Sequence, residues 1–179
     1  MVATIQKLGM SEEEINNLER LEGPWEKNVK RSHVEMYYTP PPSEGDIAAF
    51  EASFGVLPVD YRNFMLKFNG GIPKPNTLRT QDNERVVNYF VPLKCPRGFT
   101  ENLYDCFDTY RDRIPRGMLP IASSGGGDLI LIQTQSADNN CGKIYYWSHE
   151  LESESDASNY YDNIELISDS FSELLTKFE

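Results

Sequence analysis

The sequence predicts an α+β fold in a single domain, with a largely antiparallel sheet flanked by helices. Three observations predict it: helical patterns crowd the first part of the chain, strand-like runs joined by turn formers fill the second, and one short helical pattern closes it. A doubly wound sheet would require regular alternation of strand and helix, which is absent. A chain of 179 residues can bury a sizeable core as one domain.

Taken in order, "SEEEINNLERLEG" (11–23) reads as a helix. Ser11 is a candidate N-cap with Glu14 at the capping-box spacing, Ile15, Leu18 and Leu21 or Glu22 set one face, and Gly23 and Pro24 end it. "VEMYYTPPP" reads as a short extended stretch running into prolines that cannot sit inside a helix. A second helix starts at Ser43, with Asp46 three residues on; Ile47, Phe50, Glu51 and Phe54 recur at helical spacing before Gly55. "LPVDYRNFMLKFNGG" then supplies Pro58 for a first turn, an apolar stripe of Tyr61, Phe64, Met65 and Phe68, and a stop at Asn69, Gly70 and Gly71. These two helices form a hairpin whose aromatic stripe belongs in a core.

"VVNYFVPL" reads as a strand, and "TENLYDCFDTYRDRI" as a helix capped by Thr100 with Leu103, Phe107 and Tyr110 facing inward. "MLPIASS", "DLILIQT" and "GKIYYWSHE" read as three more strands. The octet "QSADNNCG" makes the last two an antiparallel hairpin. "SDSFSELLTKF" is a short closing helix capped by Ser168 or Ser170.

The glycine triplet of "SSGGGDLILIQ" invites a phosphate-loop reading. Such a loop needs backbone N–H groups at a helix N-terminus and a nearby lysine, whereas a buried strand follows here and no Lys follows the triplet until Lys143. A glycine-rich turn leading into a strand fits better.

Composition narrows the function further. No apolar run approaches the roughly 20 residues of a membrane span, and the N-terminus lacks a basic segment followed by an apolar one, so a soluble, cytoplasmic protein is expected. Cys95, Cys106 and Cys141 are odd in number and unrelated in spacing, and only His33 and His149 could assist them. Buried reduced thiols are therefore expected, with no metal site and no cofactor.

The formal net charge is −11, and eight acids between Lys143 and Lys177 supply most of the imbalance: Glu150, Glu152, Glu154, Asp156, Asp162, Glu165, Asp169 and Glu173. No Lys or Arg falls between those two lysines. Such a face repels nucleic acid and draws basic proteins, chiefly by speeding encounter. As a bland alternative, the run is a solvated loop that keeps the chain soluble.

Catalytic constellations are thin. His149 could serve as a base, with Ser123 or Ser124 beside the glycine triplet as nucleophile, but no G-x-S-x-G elbow is present. A carboxylate pair for glycoside hydrolysis must sit in a cleft with one pKa raised, whereas the acids of "HELESESD" read as a solvated loop, and they lack the order of a calcium loop. Arg79, Arg85, Lys94 and Arg97 are too sparse for a nucleic-acid groove. Aromatic residues near the acids, Tyr145, Tyr146, Trp147, Tyr160 and Tyr161, favour a binding module, although alternate members of "IYYW" must face the core.

The segments "DIAAFEASFG", "LPVDYRNFMLKFNGG", "LPIASSGGGDLILIQ", "GKIYYWSHE" and "SFSELLTKF", in that order from about Ser43 to Phe178, resemble the SUKH superfamily. That superfamily is best represented by immunity proteins of bacterial polymorphic toxin systems and includes a fungal cell-wall regulator. The resemblance implies a SUKH-like domain over residues 36–179, an N-terminal helical extension over 1–35, and a non-enzymatic role: binding a cognate toxin domain, often a nuclease, and blocking it. An intracellular scaffold or regulator of the fungal kind is the alternative, and a small hydrolase a more distant one. Partner-binding residues vary within the superfamily, so the expected interface rests on charge and aromatics alone: Glu150, Glu152, Glu154, Asp156, Tyr160 and Asp162 facing a basic toxin domain.

Overall fold

The computed structural model describes residues 2–8, 12–23, 40–80, 83–95, 101–134, 141–151 and 162–179. In chain order these form β1 (Thr4–Gln6), α1 (Glu12–Glu22), α2 (Glu44–Phe54), α3 (Val59–Phe68), β2 (Ile72–Lys74), β3 (Thr77–Arg79), β4 (Glu84–Phe90), α4 (Leu103–Tyr110), β5 (Met118–Ser124), β6 (Leu129–Gln133), β7 (Ile144–Trp147), β8 (Ile164–Ser168) and α5 (Phe171–Leu174). Strands β3 to β8 form one six-stranded sheet in sequence order, every neighbour antiparallel, and β1 pairs with β2 in a small second sheet. The fold is α+β, as the order of the sequence patterns predicts.

Local chemistry explains the helical half. Ser43 caps α2 through a full capping box with Asp46: Asp46 N–H donates to Ser43 Oγ, and Ser43 N–H donates to Asp46 Oδ2. Asn69 ends α3 in the left-handed region at φ 55°, with its own N–H donating to the Met65 carbonyl. Its side chain is 1% exposed and acts as a clip, accepting from Leu93 N–H at 2.9 Å and donating to the Lys94 and Pro40 carbonyls at 2.7 and 3.0 Å. Gly70 follows at φ 84°, where a Cβ would stand 2.5 Å from the Phe90 carbonyl oxygen. The N-G-G run thus lets the end of α3 lie directly against β4.

Alternation in the strands divides the sheet into two faces. Ile130, Ile132, Ile144 and Tyr146 point into a large core with Ile47 and Phe50 of α2 and Tyr61, Phe64 and Met65 of α3. Phe64, Phe90 and Phe171 pack there as a triangle, with ring centroids 4.8 to 5.3 Å apart. Leu129, Leu131 and Trp147 point the opposite way, into a smaller cluster with Ile114 and Met118, against which Tyr110, Tyr145 and Ile164 pack. Both halves of "IYYW" therefore meet apolar partners.

Several expectations need correction. The helix assigned to 100–114 is α4, Leu103–Tyr110, and its cap is Asn102, whose side chain accepts from Tyr104 and Asp105 N–H while Asp105 answers as the third residue of a capping box. Of the three cysteines only Cys106 is buried; Cys95 is half-buried and Cys141 exposed. Burial pushes the Cys106 thiol up to about 12, helped by the nearby Glu101 carboxylate. On α1, Leu21 is 78% exposed, away from any core. Strands β1, β2, β3 and β8 have no counterpart in the sequence reading. The extended stretch of 34–39 and the Ser11 cap lie outside the described residues.

Candidate interaction surface

The glycine triplet is a turn between paired strands. Gly125–Gly127 form one 3-10 turn linking β5 to β6, with Gly126 and Gly127 at φ 72° and 91° and Ser124 N–H donating to the Asp128 carbonyl at 2.9 Å. Asp128 closes the turn with its side chain, Oδ1 accepting from His149 N–H at 2.8 Å and Oδ2 from the Tyr146 hydroxyl at 2.7 Å. Ser124 is buried, donates to the Val86 carbonyl at 2.8 Å and shares a 3.0 Å hydrogen bond with the Tyr146 hydroxyl. Its hydroxyl is thus taken up in a structural network rather than offered beside His149. Ser123 is half-buried and accepts from Asn88 Nδ2.

The same network reaches across the sheet. Arg85 of β4 stacks on the Tyr146 ring and pairs with Glu165 of β8, although β5, β6 and β7 lie between the two strands. Only a sheet curled toward this face brings them together. Burial, together with the bond to Asp128, raises the Tyr146 hydroxyl above its ordinary value.

Folding also rearranges the acidic run. Glu165 meets Arg85 at 2.8 Å, Glu173 meets Lys177 at 3.0 Å, and Asp169 lies 3.9 Å from Lys143. Asp169 N–H, then Lys177 and the Ser168 hydroxyl, hold the Glu173 carboxyl below the usual carboxylate range. Glu165 and Asp169 thus acquire cationic partners that the primary sequence keeps distant, while Glu173 pairs with Lys177 only four residues on.

Glu150 and Asp162 differ. Both are exposed, and neither has a cationic partner among the described residues. They stand at the same end of the β7–β8 pair, Glu150 in a 3-10 turn at His149–Leu151 and Asp162 just ahead of β8. Glu152, Glu154, Asp156 and Tyr160 lie outside the described residues. A groove of about 520 Å³ is lined by β8 from Glu165 to Ser168 together with Thr80, Asp169, Glu173 and Lys177. None of the residues lining it belongs to β7, so it follows the edge that β8 turns away from its neighbour. No signal in the sequence reading pointed to Arg85 or to this edge. Among the described residues no group of His, Cys, Asp and Glu is arranged to hold a metal ion, and no helix is long and apolar enough to cross a membrane.

The SMI1 / KNR4 family (SUKH-1) matches residues 41–177. The chain belongs to this family. The expected resemblance is therefore confirmed over most of the chain, from just before α2 through α5. The SUKH-1 chain is also 36% identical over 112 residues to the SPbeta prophage-derived uncharacterized protein YokK of Bacillus subtilis (strain 168). That similarity covers 53% of this chain and 55% of the relative, so the chain spans about half the length of the curated protein it matches.

Proposed function

We propose that this SUKH-1 protein is an immunity protein that binds a basic toxin domain, nuclease-type in chemistry, and neutralises it without turnover in the cytoplasm. The observation that carries the reading is the pair of exposed carboxylates, Glu150 and Asp162, at one end of the β7–β8 hairpin of a SUKH-1 fold. They flank the segment that contains Glu152, Glu154, Asp156 and Tyr160, and the six together form the proposed contact. Charge of one sign in one place steers a basic partner and excludes nucleic acid. Packing supports non-covalent action, because Ser124 is engaged by Val86 and Tyr146. Residues 1–35 are proposed as an addition to the shared domain at 36–179, docked through β1 on β2 and through the Ala3 N–H on the Leu175 carbonyl.

The test is to look beside its gene for a secreted protein with a C-terminal toxin domain and to co-express the two. Changing Glu152, Glu154 and Asp156 together to Lys should slow association about tenfold or more at low salt and raise toxicity in cells. Undiminished protection would remove this face from the interface.

A further inference from the structure

Resting on the reading above, we propose that the outward edge of β8 is the docking line for an extended, Lys- or Arg-bearing segment of the partner protein, which joins the sheet as a seventh strand. The two ends of the sheet are treated differently. At the β3 end the chain's own terminus covers the edge: Leu78 bridges to Phe178, Arg79 N–H donates to the Lys177 carbonyl at 3.1 Å, and Glu179 N–H donates to the Thr77 carbonyl at 2.8 Å. At the other end, β8 has a strand neighbour on one side only among the described residues.

Register shows what that edge offers. Ser148 N–H donates to the Asn163 carbonyl at 2.9 Å, which makes Ser148 and Asn163 a hydrogen-bonded pair. Alternation along the regular part of the ladder then turns the N–H and C=O of Ile164 and Leu166 away from β7. Natural sheets blunt such edges with Lys or Pro, and "IELIS" carries neither. Leu166 is instead 49% exposed.

Space and charge identify the occupant. The groove of about 520 Å³ opens beside β8, where an added strand would pair at a spacing of about 4.8 Å. Glu165, Asp169 and Glu173 line it with one lysine; Arg85 and Lys143 reach the first two from outside the groove, Asp169 only at 3.9 Å, and the lysine of the lining already shows the preferred chemistry, with Lys177 Nζ donating to the Ile167 carbonyl at 2.7 Å. A second copy fits less well, since edge-to-edge pairing would bring Glu165 and Asp169 toward their own counterparts in a chain of net charge −11. Main-chain bonds would supply affinity, and the carboxylates preference for cationic side chains.

The probe is a synthetic peptide of about eight residues alternating Lys and Val, a length that spans a typical strand, added to isotope-labelled protein and followed by amide NMR. The expected result is movement of the Ile164 and Leu166 amide signals, slower hydrogen exchange at Leu166, and no response to a Glu-Val peptide of equal length. Leu166→Pro removes the outward donor and Leu166→Lys keeps it while adding a repelling charge; each should weaken binding about tenfold or more. Binding by both variants as tight as by the natural protein, signals that move only away from β8, or sedimentation as a dimer that Leu166→Lys dissolves would overturn the proposal. Toxin protection separates it from the reading beneath. Full protection by both variants sinks the edge while leaving the immunity role, whereas peptide binding at β8 with no toxin neutralised sinks the immunity role and supports the edge.

Discussion

The guanidinium carbon of Arg85 lies 3.6 Å from the centroid of the Tyr146 ring, while Arg85 Nη2 donates to Glu165 Oε2 at 2.8 Å. One side chain thereby joins β4, β7 and β8 on the curled face. Arg85→Met keeps the volume and loses both contacts, and should destabilise the fold by about 1–2 kcal/mol, most of it from the ring contact because Glu165 stays partly in water. Tyr146→Phe strips Asp128 and Ser124 of a partner and should cost about 1–3 kcal/mol. Urea unfolding measures both, and the double variant should fall short of the sum by about 0.5 kcal/mol or more, because the two side chains share one contact.

Asn69 presents a different kind of dependence, since its backbone angle and its amide act together. Asn69→Gly keeps the left-handed turn and loses four side-chain hydrogen bonds to Pro40, Leu93 and Lys94, so it isolates the side chain and should cost about 2–3 kcal/mol. Asn69→Asp keeps the acceptor for Leu93 N–H but sets carboxylate oxygen against the Lys94 and Pro40 carbonyls. It should be at least as damaging as Asn69→Gly by thermal melting. An Asp variant as stable as the natural protein would contradict the clip.

Acid should expose the α2 cap. The hydrogen bond from Lys94, followed by those from Ser43, lowers the Asp46 carboxyl to about 2 from an ordinary 3.8. A group lowered in the folded state contributes stability that is complete above its unfolded value and is lost as pH falls through the folded one. The melting temperature should therefore drop between pH 3.8 and about 2, and Asp46→Asn should flatten that part of the profile. Glu173 is shifted in the same direction and leaves a residual slope.

What could be read from the sequence follows the range of each interaction. Ser43 with Asp46, Asn69 with Gly70, and the alternating residues of β6 and β7 are local signals, and each reads as the structure has it. Asn102 with Asp105 carries the same local cap signal, but Thr100, two residues earlier, satisfies the rule for a hydroxyl ahead of an apolar pattern as well, so the sequence alone does not separate them. Strand β8 was hidden because its apolar residues interrupt an acidic run, and β1, β2 and β3 are too short to show a period. The interface expectation meets the same limit of range: eight acids counted as one field include Glu165 and Asp169, whose cations Arg85 and Lys143 arrive through folding, and Glu173, whose partner Lys177 stands four residues on. The exposure of Glu150 and Asp162 is legible from residue type, since an ionised carboxylate with no nearby cation in sequence is costly to bury even beside Leu151 or Tyr161.

Trp147 belongs to the smaller of the two apolar clusters, fully buried and edge-on to Tyr110 at 5.8 Å. The chain's other tryptophan is Trp25, so indole emission from position 147 watches the thin side of the sheet while the phenylalanine triangle on the thick side stays optically silent. Partial opening of that flank, cheaper than global unfolding because fewer side chains leave their neighbours, would thus be visible as a fluorescence change that precedes loss of helical circular dichroism.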